Sequence, residues 1–207
     1  MSALDKIAEL FPNRIMANID LDQYRDDTYS PRVKSADQFK EELKKRIRQH
    51  GVYGDSTGFD MLHNVFRYRP AELTIWTGYK GHGKSAVLSQ QILHLMMKEK
   101  KRVFIISPEF PAVELLYRLL HQFVGNSDAN EEEGEVMLDI LSSCLWIYDV
   151  QSSLKPNDVP ALCRWVMDKV KVDHIVIDSL MKCGIPPDDY AKQKVLVDQI
   201  QSVAHQT

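Results

Sequence analysis

From Leu73 onward, apolar positions alternate between short β-branched runs and stretches spaced like amphipathic helices. Leu73-Thr74-Ile75-Trp76-Thr77 has the composition of a buried parallel strand. Ala86 to Lys100 follows, with Val87, Leu88, Ile92, Leu95 and Met96 at helical spacing. Arg102 to Ser107 predicts a second strand around Val103, Phe104, Ile105 and Ile106, and Ala112 to Val124 predicts its helix. Leu145-Trp146-Ile147-Tyr148 predicts a third strand, and Glu131-Glu132-Glu133 ahead of it reads as a solvated acidic loop. Asp158 to Lys171 is helical, with Pro160 in the first turn, where a missing N–H is tolerated. His174 to Asp178 predicts a fourth strand and Asp188 to His205 a last helix. This alternation predicts an α/β fold, a mostly parallel sheet covered by helices on both faces.

The start of the chain is different. Pro12, Pro31 and the clustered Asp20, Asp22, Asp26 and Asp27 break any long periodicity, so residues 1 to about 34 read as loosely structured. Ser35 opens a helix with Gln38 three residues on, the spacing of a capping box, and Gly51 is a fitting stop. Phe39, Leu43 and Ile47 form a narrow apolar stripe, while Lys40, Lys44, Lys45, Arg46 and Arg48 occupy the other faces. So thin a stripe fits docking onto a surface; a solvated surface helix of the same domain fits equally. The chain thus divides into residues 1–52, an N-terminal extension with a linking helix, and residues 53–207, the core.

Composition adds limits. At 207 residues the chain holds one α/β domain plus an appendage. A net charge of −3 requires any nucleic-acid contact to come from local basic surfaces. Cys144, Cys163 and Cys183 have neither zinc spacing nor the even count of a disulfide framework, which points to a reducing cytosol. Met1 to Leu10 is neither a signal nor a transit peptide, and no apolar run approaches the roughly 20 residues that cross a bilayer.

The densest chemistry lies at Gly78-Tyr79-Lys80-Gly81-His82-Gly83-Lys84-Ser85, which fits the phosphate-binding P-loop G-x-x-x-x-G-K-[ST]. A strand, a glycine turn and a helix in succession aim backbone N–H groups and a helix dipole at one point. Lys84 is expected to reach the β- and γ-phosphates of a nucleoside triphosphate, and the Ser85 hydroxyl to ligate Mg²⁺. Asp178, ending an apolar strand, is placed to hold the same ion, usually through water. Glu109 follows the second strand, and strand carboxyl ends line the ligand crevice of an open α/β sheet. It is either the group that deprotonates an attacking water or an acid favoured by a helix N-terminus.

Several segments together resemble the DnaB-type hexameric replicative helicases, including the phage helicase–primase and Twinkle branch. They are Thr57-Gly58-Phe59-Asp60 with Leu62, Arg69-Pro70-Ala71-Glu72-Leu73-Thr74 leading into the P-loop, Ser107-Pro108-Glu109-Phe110-Pro111, and Ile175-Val176-Ile177-Asp178-Ser179-Leu180. The resemblance covers about residues 57 to 205. It implies a RecA-like P-loop NTPase core, preceded by a linker helix, that hydrolyses ATP or another NTP with Mg²⁺. It implies Glu109 as catalytic base beside Lys84, and Asp178 as the Walker B carboxylate. Residues between Ser179 and Gln193 would form a channel loop touching single-stranded DNA, with Lys182 and Lys192 as candidates. Phe39, Leu43 and Ile47 would anchor the linker helix on a neighbouring subunit of a hexameric ring.

The implied partners are single-stranded DNA, further copies of the chain, and a primase or other replisome protein, in the cytoplasm of a bacterial or phage-infected cell and with no membrane. Family members continue into a γ-phosphate sensor, an arginine finger and more DNA loops, which would lie beyond Thr207. One of those later strands normally sits between the P-loop strand and the Walker B strand. The chain is therefore expected to be an N-terminal portion of a longer helicase, able to bind nucleotide but not to complete turnover and unwinding. The alternatives are a RecA-like packaging or recombination ATPase that moves or coats nucleic acid without unwinding, and a non-enzymatic loader switched by nucleotide.

Overall fold

A computed structural model describes residues 34–48, 53–62, 64–79, 81–150, 154–186 and 188–206. The loosely structured reading of residues 1–33, the stop at Gly51 and the loop residue Lys80 lie outside these. The chain divides into two units, residues 1–51 and 52–207.

In the first unit a short 3₁₀ turn, Ala36–Phe39, runs into helix α1 (Lys40–Arg48). The expected Ser35–Gln38 capping box does not form. The Ser35 hydroxyl turns to the Asp37 carboxylate, a charged acceptor two residues away, and makes no capping bond. The stripe itself is as expected on the surface, with Phe39, Leu43 and Ile47 exposed at 43%, 58% and 61%.

The second unit is built on three parallel strands, β1 (Val103–Ile106), β2 (Leu145–Tyr148) and β3 (His174–Ile177), in the order β2-β1-β3. Register is continuous: Val103 faces Leu145 on one side and His174 on the other, through to Ile106 between Tyr148 and Ile177. The central strand is buried at every position because its side chains alternate between two cores. Val103 and Ile105 enter one with Ile92, Leu95 and Met96 of α2 (Lys84–Met97), Leu115 and Leu119 of α3 (Ala112–Val124), and Met137 and Leu141 of α4 (Glu131–Leu141). Phe104 and Ile106 enter the other with Val159, Cys163 and Val166 of α5 (Asp158–Lys169), and Leu196 and Ile200 of α6 (Tyr190–Ala204). The α/β architecture with helices on both faces is thus the observed one.

Two local expectations fail. Leu73–Thr77 is not a strand and stands outside the sheet, with Leu73, Ile75 and Trp76 exposed at 36%, 58% and 38%. An apolar run becomes a strand only when its N–H and C=O groups meet a neighbour. Among the described residues β3 pairs only with β1, and no strand lies between β3 and this segment. The acidic segment fails in the other direction: Glu131–Glu133 is not a loop but the first turn of α4. Asn130 Oδ1 accepts the Glu133 N–H at 3.0 Å, and the Glu133 carboxylate accepts the Asn130 N–H at 2.9 Å, a reciprocal capping box. Carboxylates in a first turn are favoured by the dipole.

Polar groups knit the amino-terminal ends of the strands. The Asp55 carboxylate accepts from His174 Nε2 at 2.8 Å and sits 3.1 Å from Lys101 Nζ. Arg102 donates its backbone N–H to Asp173 and its guanidinium to the carbonyls of Val170 and Lys171, and stacks over Trp146 at 4.9 Å. No described helix is long and apolar enough to cross a membrane.

Candidate nucleotide site

Gly83 caps the start of α2 in a left-handed conformation (φ 76°), two residues after Gly81 (φ 82°). A Cβ at either position would meet nothing within 4 Å, so the demand for glycine here is torsional rather than steric. Glycine also leaves the cap without a side-chain acceptor, so no side chain competes for the N–H groups of the first helical turn. Those groups and the dipole behind them make an anion site. The Lys84 ammonium folds back over the loop, donating to the carbonyls of Gly78 at 2.7 Å and Tyr79 at 2.8 Å. The His82 N–H reaches the Tyr79 carbonyl at 3.3 Å, and the two rings meet edge-on at 5.6 Å. Ser85 lies in the first turn, where the Ser89 hydroxyl bonds its carbonyl at 2.8 Å.

The carboxylates stand on the carboxyl ends of two adjacent strands. After Ile106 the chain passes through buried Ser107 and Pro108 to an exposed Glu109. Phe110 next to it is held by the Arg118 guanidinium, 4.5 Å above its ring. Asp178 follows β3 and extends its pairing by one bond, from its N–H to the Ile106 carbonyl at 3.0 Å. The Ser179 hydroxyl then donates to Glu109 Oε2 at 3.3 Å, joining the two strand ends.

A family model described as the AAA domain matches residues 63–206. The chain belongs to this AAA domain family. No curated protein matches it by sequence. Among solved structures it is similar to the ATPase domain of a phage replicative helicase, at 18% identity and a TM-score of 0.66, covering 84% of this chain and 68% of that one. It is also similar to a structure of a DnaB-like replicative helicase described with its interactions with primase, at 18% identity and a TM-score of 0.62, covering 84% of this chain and 46% of that one. The chain thus spans less than half the length of that helicase. These likenesses establish the fold, the RecA-like core of replicative helicases, as the resemblance in sequence implied.

Within the AAA domain the structure brings some of the expected residues together and leaves others apart. Glu109 and the Asp178–Ser179 end of β3 are in contact; Ser85 and Asp178 are not hydrogen-bonded to each other. A hydroxyl and a carboxylate are hard oxygen donors of the kind magnesium takes. No group of three or more His, Cys, Asp or Glu among the described residues could hold a metal, so an ion here would complete its shell with phosphate oxygens and water. Lys182 is exposed in the turn after β3, while the Lys192 ammonium is already engaged by Asp189 at 2.7 Å. That pairing holds the Asp189 carboxyl below its usual range. Sequence reasoning missed Ser179 and Arg118. A serine after the strand-ending Asp was a visible signal for the first; nothing in the spacing of Phe110 and Arg118 announces the second.

Proposed function

We propose that this AAA domain is the NTP-hydrolysing motor of a ring-shaped replicative helicase that moves along single-stranded DNA and unwinds duplex. The observation that carries the reading is one site's worth of parts on one sheet. They are a P-loop closed by its own lysine, and two acidic residues on the carboxyl ends of neighbouring strands. Binding of a triphosphate would draw Lys84 from the Gly78 and Tyr79 carbonyls onto the β- and γ-phosphates, with the α2 N–H groups beneath. The site residues Gly78, Tyr79, Lys80, Gly81, His82, Gly83 and Ser85 complete the cradle. Ser85 and Asp178 would hold magnesium, which supplies charge neutralisation to the phosphates when bound. Glu109 would take the proton of the attacking water.

Hydrolysis at subunit interfaces would move the segment after β3, where Lys182 and Lys192 would touch phosphates; Lys192 must leave Asp189 to do so. The exposed Phe39, Leu43 and Ile47 support a second part of the reading, that α1 packs on a neighbouring copy in a hexameric ring. The same reading carries a primase as a partner and a cytoplasmic setting in a bacterial or phage-infected cell.

The test uses the intact protein on a forked duplex with ATP and magnesium. Wild type is expected to displace a strand, and Glu109→Gln to keep ATP binding while losing hydrolysis. A wild-type protein that hydrolyses ATP on DNA yet displaces no strand would make this a translocating or coating ATPase instead.

A further inference from the structure

Ser179 stands at the N-cap of the 3₁₀ turn Leu180–Lys182, yet its side chain makes no capping bond. A serine at a helical N-cap ordinarily accepts from an N–H two or three residues ahead. Here the hydroxyl donates instead to Glu109 Oε2, across 3.3 Å from one strand end to the next. The Ser179 backbone is itself tied down. Its carbonyl accepts the Lys182 N–H at 3.2 Å and the Cys183 thiol at 3.8 Å, and Cys183 is fully buried. An exposed glutamate on a turn samples several rotamers and loses aim with each. Tethering one oxygen to a fixed hydroxyl leaves the other with a defined direction.

We infer that Ser179 is a positioning residue for hydrolysis: it holds Glu109 through Oε2 so that Oε1 is free to face the attacking water. The inference rests on the reading of Glu109 as the base. Ser179 acts only through that carboxylate, and it also ties the base to the turn that carries Lys182. Movement of that turn would therefore change the aim of Glu109.

The experiment measures steady-state and single-turnover ATP hydrolysis by the intact protein with single-stranded DNA, for wild type, Ser179→Ala, Ser179→Thr, Glu109→Gln and the Ser179→Ala/Glu109→Gln double variant. Ser179→Ala is expected to lower kcat by about tenfold, the scale of one hydrogen bond to a charged group, with KM unchanged. Ser179→Thr, which keeps the hydroxyl, restores the rate. In the Glu109→Gln background Ser179→Ala changes nothing further, because the group it aims is gone. Melting temperatures of the serine variants stay at the wild-type value. If Glu109→Gln is inactive but Ser179→Ala turns over like wild type or faster, the positioning role is wrong while the base stands. A Ser179→Ala loss that persists undiminished in the Glu109→Gln background also overturns it. If Glu109→Gln hydrolyses at the wild-type rate, the reading of the base fails, and this inference fails with it.

Discussion

Lys84→Ala separates binding from folding in a way the loop geometry makes quantitative. In the free protein the ammonium satisfies two carbonyls, at 2.7 and 2.8 Å. A phosphate oxygen about 4 Å away near a protein surface attracts it by about 4 kcal/mol. Leaving two carbonyls, each bond contributing about 1 kcal/mol net, offsets about half of that. The expected net loss on Lys84→Ala is therefore about 2 kcal/mol, or about 30-fold in Kd for a slowly hydrolysed ATP analogue with magnesium.

The same substitution should hardly disturb the fold. The abandoned carbonyls lie on an exposed loop and can turn to water, and Lys84 is a cation at a helix N-terminus, where positive charge is unfavourable by about 0.3–1 kcal/mol. Calorimetry against the analogue, paired with a thermal melt, reads both quantities. Undiminished affinity would refute the role given to the lysine. A drop in melting temperature of more than about 10 °C would show that the carbonyl bonds hold the loop, contrary to the estimate.

Two further outcomes follow from contacts away from the site. The Glu99 carboxyl is held below its usual 4.5, chiefly by the Ser56 hydroxyl and against the upward push of burial. A carboxyl depressed in the folded state stabilises above the unfolded value, and that stability is lost as pH falls through the folded value. Ser56→Ala should therefore lower the melting temperature most near neutrality, with the gap to wild type narrowing below about pH 4.5; a gap that is constant or widens in acid would contradict the pairing. Gly184 has φ 72°, and a Cβ there would sit 2.5 Å from the Leu154 carbonyl oxygen. Gly184→Ala should cost about 2–4 kcal/mol, seen as a melting temperature lower by roughly 5–15 °C, whereas an unshifted melt would mean that the turn after β3 yields freely.

What could be read from the residues was the local and the repetitive. The four-residue runs of β1, β2 and β3 and the stripes of α2, α3, α5 and α6 declare themselves, because burial on a sheet with two covered faces leaves its mark at every position. Leu73–Thr77 carries the same mark and is not a strand, since strand formation depends on a partner that composition does not report. Charge misled at α4. Three glutamates in a row read as solvated loop, yet Asn130 three residues before Glu133, with Met137 and Leu141 one turn apart, spelled a capped amphipathic helix. At Ser35 the same box was spelled and not made, because Asp37 took the hydroxyl. A capping signal thus needs the absence of a nearer charged acceptor as well as the right spacing.

The division of polar groups between the two ends of the sheet gives this a physical basis. At the amino-terminal ends every charged group named has a charged or carbonyl partner: Asp55 with His174 and Lys101, and Arg102 with Asp173 and two backbone carbonyls. Such pairs are satisfied and reach across distant parts of the sequence, so no short motif encodes them. At the carboxyl ends Glu109 has only a single neutral hydroxyl at 3.3 Å, and it stands exposed beside Asp178. A fold that pairs its charges at one end and leaves two acids nearly unpartnered at the other has reserved them for something absent from the protein itself. Two adjacent carboxylates attract cations, and a P-loop attracts anions. The ligand that meets both demands together is a phosphate chain carrying a divalent ion, which is why the short motifs found in the sequence lie at that end.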